Sequence, residues 1–116
     1  MEMDILFVLK VICALGTVAT GFISLLWPRS IKGFTGLEAP GPRGITEIRA
    51  VMGGLFIGLG IAPFILGAPQ VYQAIGIMYL AIGAVRAVSM FLDRSVMQSN
   101  IISLAVEIVF GIILVV

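Results

Sequence analysis

No histidine occurs in the 116 residues. That removes the side chain most often used as a general base and as a metal ligand near neutral pH. There is one cysteine, Cys13, so no intramolecular disulfide can form, and the thiol has no base to activate it. Charge is scarce as well. Only 11% of the residues are charged, against roughly 25% in a soluble domain, and so small a chain needs charge to cover its surface in water. The net charge is +1, no basic patch exists, and nucleic acid is excluded as a partner. The N-terminal flank carries Glu2 and Asp4 in place of Lys or Arg, and the apolar run behind it is too long for a signal-peptide core. That run is expected to be retained.

What is present in quantity is apolar: 60% of the chain. It comes in four blocks, Ile5–Trp27, Ile45–Gly67, Val71–Leu92 and Val96–Val116. Each is close to the 20 or so residues that cross a hydrocarbon core of roughly 30 Å. Strands of a barrel would be about half as long and would alternate in polarity. The fold class is therefore all-α, an integral membrane four-helix bundle forming a single domain over residues 1–116, with the lipid bilayer as its solvent. Short connections make successive helices antiparallel.

Lys and Arg are unevenly placed. Arg29, Lys32 and Arg43 lie between the first two blocks and Arg94 follows the third, whereas the Ala68–Gln70 turn and both ends have none. The positive-inside rule puts the basic loops in the cytoplasm and both termini outside a bacterial inner membrane. Trp27 and Tyr72 fall near block ends, where interfacial aromatics sit. In the first loop Ile31, Phe34 and Leu37 recur every three residues beside Arg29 and Lys32, which fits either a short interfacial helix or an irregular loop with three apolar anchors.

Polar residues inside a span face the interior. Residues seven apart return to nearly one face of a helix. Lys10, Thr17 and Ser24 form such a seam on the first helix, and Tyr72, Tyr79, Arg86 and Asp93 on the third. Asn100, Ser103, Glu107 and Gly111 form one on the fourth by four-and-three spacing. In the second block, Glu47, Gly54 and Gly58 share one face, and Arg49, Gly53 and Gly60 share roughly the opposite one. Gly54 and Gly58 make a G-x-x-x-G step suited to close helix approach, so Gly53, Gly54, Gly58, Gly60 and Gly111 are read as packing positions. These glycines lie inside a span, away from the strand and turn that a nucleotide-binding loop requires. Pro63 is expected to kink the outer half of its helix.

At about 1.5 Å per residue, Arg49 lies about one turn inside the boundary, Arg86 about 9 Å, and Glu107 about 13–16 Å. A lone charge at that depth costs roughly 2.5–3.5 kcal/mol, so pairing is expected. The candidate site is a buried network of Arg49, Arg86 and Glu107, with Glu47 at its edge and Tyr79 close by. Two readings stay open: a salt-bridge clasp that sets helix register, or a polar site for a small solute, lipid-like molecule or proton. No metal site is expected from carboxylates competing with three cations, no cofactor is implied, and no pair of converging carboxylates supports acid–base catalysis.

The stretches "LLWP", "EIRAVMGGLFIGLG", "AVRAVSMFLD" and "LAVEIVFGIIL" together resemble a family of small bacterial four-helix membrane proteins, domain of unknown function 4345, over nearly the whole chain. Its R-x-x-x-G-G element falls on Arg49, Gly53 and Gly54, its arginine near the end of the third helix on Arg86, and its helix-four acid on Glu107. Where the pattern often has an aromatic residue before the paired glycines, this chain has Met52. The resemblance implies a fold and brings no activity. The function expected is a non-enzymatic accessory or scaffold subunit, packing by its glycine faces in a homo-oligomer or larger membrane complex. The alternative is a small binder using the Arg/Glu site.

Overall fold

The computed structural model describes residues 4–116. It is 82% helical, with no strand among the described residues. Helix α1, Ile5–Leu26, begins where the Asp4 carboxylate accepts a hydrogen bond from the Phe7 amide at 2.8 Å. That satisfies one of the free N–H groups of the first turn. The helix stops just ahead of Trp27 and Pro28, and a residue before proline is pushed out of helical geometry. A single turn follows, α2, Lys32–Thr35, closed by Gly36 in a left-handed conformation. The first loop thus carries four helical residues in an otherwise irregular path.

Pro42 opens the next helix at its first turn, behind an extended Gly41. Proline suits that position because its missing N–H is not needed there. The helix therefore starts three residues ahead of the apolar block and runs unbroken over Pro42–Leu66, 25 residues. Its parts are α3, Pro42–Glu47, a π-helical stretch, Ile48–Leu55, and α4, Phe56–Leu66, which contains Pro63. A π turn pairs an amide with the carbonyl five residues back instead of four, so it holds one more residue. The buried residues record this. Ile48 and Gly53 are both buried at a spacing of five, which an α-helix would turn to different sides.

Gly67, with φ of 69°, caps α4 by donating its N–H to the Pro63 carbonyl at 2.9 Å. Pro69 then opens α5, Pro69–Leu92. After α5, the Ser95 amide reaches back to the Met90 carbonyl at 3.0 Å across Arg94, which has φ of 51°. This is the six-to-one closure that ends many helices, here with arginine in the usual glycine position. Helix α6, Gln98–Val115, completes the chain. Four helices are long and apolar enough to cross a membrane: Ile5–Leu26, Pro42–Leu66, Pro69–Leu92 and Gln98–Val115.

The chain divides into two compact units. In the unit Ala14–Gly67, α1 buries Ala14, Thr17, Gly21 and Ser24, small residues three or four apart that form one helix face. The Pro42–Leu66 helix packs on that face at very short range. A Cβ added to Gly21 would lie 2.7 Å from the Gly53 carbonyl oxygen, and one added to Gly60 would lie 2.8 Å from that of Ala14. Small residues let backbones approach this closely in lipid, where van der Waals packing holds helices together.

The second unit joins the start of α1, up to Cys13, to residues 68–116. Helices α5 and α6 pack along their length, with Gly76 against Gly111: a Cβ on Gly76 would lie 2.9 Å from the Gly111 carbonyl oxygen. Phe7 meets Tyr72 edge-on at 6.2 Å between ring centres, and Tyr79 meets Phe110 edge-on at 5.5 Å.

Candidate functional site

The site lies between α5 and α6. Arg86 is on the α5 face that also buries Tyr72, Tyr79 and Gly83, and Glu107 is one of three buried residues of α6. Gly83, just under one turn before Arg86, permits the approach. A Cβ at that position would sit 3.5 Å from the Cβ of Glu107, in ordinary contact.

Arg86 grips Glu107 with the Nε–Nη2 edge of its guanidinium. Nε donates to Oε1 at 2.8 Å and to Oε2 at 3.1 Å, and Nη2 donates to Oε2 at 2.7 Å. The third nitrogen, Nη1, donates to Oδ1 of Asn100 at 2.9 Å. Asn100 in turn donates through Nδ2 to the Ser95 carbonyl at 2.9 Å, in the connection between the two helices. The fork geometry is the strongest way for arginine to hold a carboxylate. It also meets the demand of a low-dielectric interior, where a half-satisfied ion pair costs more than it returns. Glu107 is the more enclosed partner, 10% exposed at its side chain against 31% for Arg86. Among the described residues no buried side-chain nitrogen or oxygen lacks a hydrogen-bond partner.

The other expected members are placed differently. Glu47 is exposed and pairs with Arg43, one helical turn before it, at 2.6 Å. Arg49 is an exposed residue of the π stretch, in the unit Ala14–Gly67, and has no ion-pair partner among the described residues. Tyr79 is buried on the face of Arg86, two turns away, against Phe110. Asp93 takes a hydrogen bond from Ser89 at the end of α5. Asn100 was legible only as a member of the α6 seam, and its seven-residue spacing from Glu107 was the available signal. The four-residue spacing of Arg43 and Glu47 was the signal for their pairing.

The glycines also divide. Gly53, Gly60 and Gly111 meet neighbours at close range, as do Gly21 and Gly76, which the sequence reading passed over. Within the unit Ala14–Gly67 nothing lies within 4 Å of a Cβ added to Gly54 or Gly58. Their G-x-x-x-G step is therefore not used within that unit, and the π turn removes the shared face drawn through Glu47.

Beside Arg86 is an open cleft of about 600 Å³, lined by Ala81, Ile82, Val85, Arg86, Ser89 and Asn100. Among the described residues no three His, Cys, Asp or Glu side chains converge as metal ligands would. What the arrangement offers is a closed ion pair, buried on the carboxylate side.

The family model described as a domain of unknown function, DUF4345, matches residues 5–116. Neither a curated protein nor a solved structure matches the chain.

Proposed function

The chain belongs to the DUF4345 family, a domain of unknown function, and from that premise we propose a non-enzymatic subunit that assembles with other membrane helices through the Gly54–Gly58 face. One observation supports this reading: of the glycines in the Pro42–Leu66 helix, Gly53 and Gly60 are filled by α1, whereas Gly54 and Gly58 meet nothing of their own unit, Ala14–Gly67. Two exposed glycines one turn apart cost helix stability and return it only when another helix comes close. The partner is a second copy or a larger membrane complex. The Arg86–Glu107 pair serves as an internal clasp. The absence of histidine and the burial of Cys13 are consistent with a role free of catalysis.

The chain sits in the bacterial inner membrane with both termini outside. Arg29 and Lys32 in the connection after α1, Arg43 in the first turn of the helix that follows it, and Arg94 in the connection after α5 support this reading, since an even number of crossings leaves them on one side. A cysteine introduced at Val116 reacts with a membrane-impermeant reagent from outside; protection there until the membrane is opened would reverse the orientation.

Gly58→Leu tests the assembly. Leucine is a good helix former and meets no neighbour within the unit Ala14–Gly67 at that position, so the chain is expected to insert and fold, while native mass spectrometry of gently extracted protein shows the assembly lost. An assembly of unchanged mass, or a wild-type protein extracted only as a monomer, would sink the proposal. A second reading, a binder of a small lipid-like molecule, rests on the cleft beside the partly exposed Arg86. It requires a molecule retained by the wild type and released by Arg86→Gln.

A further inference from the structure

The first connection and the start of the helix after it hold two adjoining hollows, both within the unit Ala14–Gly67. One is a small pocket of about 110 Å³ whose wall includes Pro28, Arg29, Lys32, Glu38 and Ile45. The other is a cleft of about 330 Å³ with apolar walls from Leu37, Ile48, Val51 and Met52, and with Glu38 and Glu47 at its rim. Leu37, Glu38 and Ala39 belong to both, so a polar pocket opens beside an apolar trough across a shared wall.

The charges are unequal. Glu47 is held by Arg43 and Glu38 by Lys32. Arg29 has no ion pair or side-chain hydrogen bond among the described residues. The small pocket therefore has two cations against one carboxylate, a net charge of +1. The hollows sit where the chain leaves α1 and enters the Pro42–Leu66 span, and they are flanked by exposed Trp27 and Phe34. Those are residues of a membrane–water interface.

We propose that this double hollow binds one anionic phospholipid, its phosphate against Arg29 and Lys32 and part of one acyl chain along Val51 and Met52. A singly charged anionic lipid matches the net charge of the pocket, whereas a zwitterionic lipid brings a second cation toward it. A free phosphate would fill only the pocket and leave the apolar trough to water. The Lys32–Glu38 pair is exposed on both sides and held weakly, so Lys32 is available to turn toward the lipid. This site belongs to the unit Ala14–Gly67, and Arg86 and Glu107 to the other; it does not depend on the assembly proposed above.

The test is native mass spectrometry of the full chain in neutral detergent, titrated with dioleoyl phosphatidylglycerol or dioleoyl phosphatidylcholine. The glycerol lipid is expected to be retained about fivefold more, the effect of roughly one cation at a lipid surface. Arg29→Gln should abolish that preference and Glu38→Gln should raise it, because the competing carboxylate is gone. Val51→Trp, at a half-exposed position, should block the trough and lower retention of both lipids. Arg94→Gln, a loss of the same charge in the other unit, should change nothing. Equal retention of the two lipids would overturn the proposal, as would an Arg94→Gln effect as large as that of Arg29→Gln. Displacement of the lipid by an equal concentration of inorganic phosphate would assign the pocket to the free anion instead.

Discussion

Arg86 and Glu107 became legible from chemistry and spacing alone. Two opposite charges on polar seams, at compatible depths in a span, have few places to go other than each other. Arg49 satisfied the same depth argument, yet it belongs to the other unit and is exposed. Glu47 had a nearer partner in Arg43. Depth restricts which charges can meet; it does not choose among helices. Removing the buried carboxylate tests the clasp. Glu107→Gln leaves Arg86 with a neutral partner, and breaking a buried pair costs about 3–5 kcal/mol. Since Arg86 is 31% exposed, a loss of about 2–3 kcal/mol is expected. Replacing both residues with methionine should restore much of that loss, because apolar substitutes of similar size remove the desolvation cost together with the attraction. Unfolding in mixed detergent reads both variants, and a Glu107→Gln protein with wild-type stability would leave the clasp without support.

At the scale of one element, the Pro42–Leu66 helix shows where sequence periodicity stopped working. A reading at about 100° per residue grouped Glu47 with Gly54 and Gly58, and the π stretch breaks that grouping between residues 48 and 55. No short pattern marks a π turn. Its trace here is the five-residue gap from Ile48 to Gly53, and it needs burial to be seen. Met52 and the paired glycines lie inside the stretch, and glycine weakens α-helix most among residues other than proline. If the wide turn amounts to one inserted residue, deletion of the exposed Ala50 should bring Ile48 and Gly53 to a four-residue spacing. The deletion variant should then fold with Gly53 and Gly60 still against α1 and stability within about 1 kcal/mol of the wild type. Deletion of Ile57, in the regular part, should swing everything beyond it by about 100° and abolish folding. Similar damage from both deletions would show that the π turn is not a simple insertion.

For the molecule as a whole, the hydropathy blocks located the four long helices to within a few residues, because the bilayer requirement acts on composition over some 20 positions. The ends moved where single residues overruled composition. Pro42 started its helix three residues ahead of the apolar block and Pro69 started α5 two residues ahead, whereas the end of α5 at Leu92 did not move. The partnership of Gly21 with Gly53, or of Gly76 with Gly111, was not legible, since a small residue announces close approach without naming what approaches.

The Arg86–Glu107 pair also bears on how the chain is made. Its members are 21 residues apart, so at about 5–20 residues per second Arg86 leaves the ribosome roughly one to four seconds before its carboxylate. Alone in the bilayer, α5 would carry an arginine costing about 2.5–3.5 kcal/mol. Helices α5 and α6 therefore enter the membrane best as one hairpin, with Asn100 arriving first to shield the guanidinium. A nascent chain stopped at residue 97 should hold α5 poorly in the bilayer, and one stopped beyond Glu107 should hold it firmly. The salt bridge then forms only once the fourth span has followed the third.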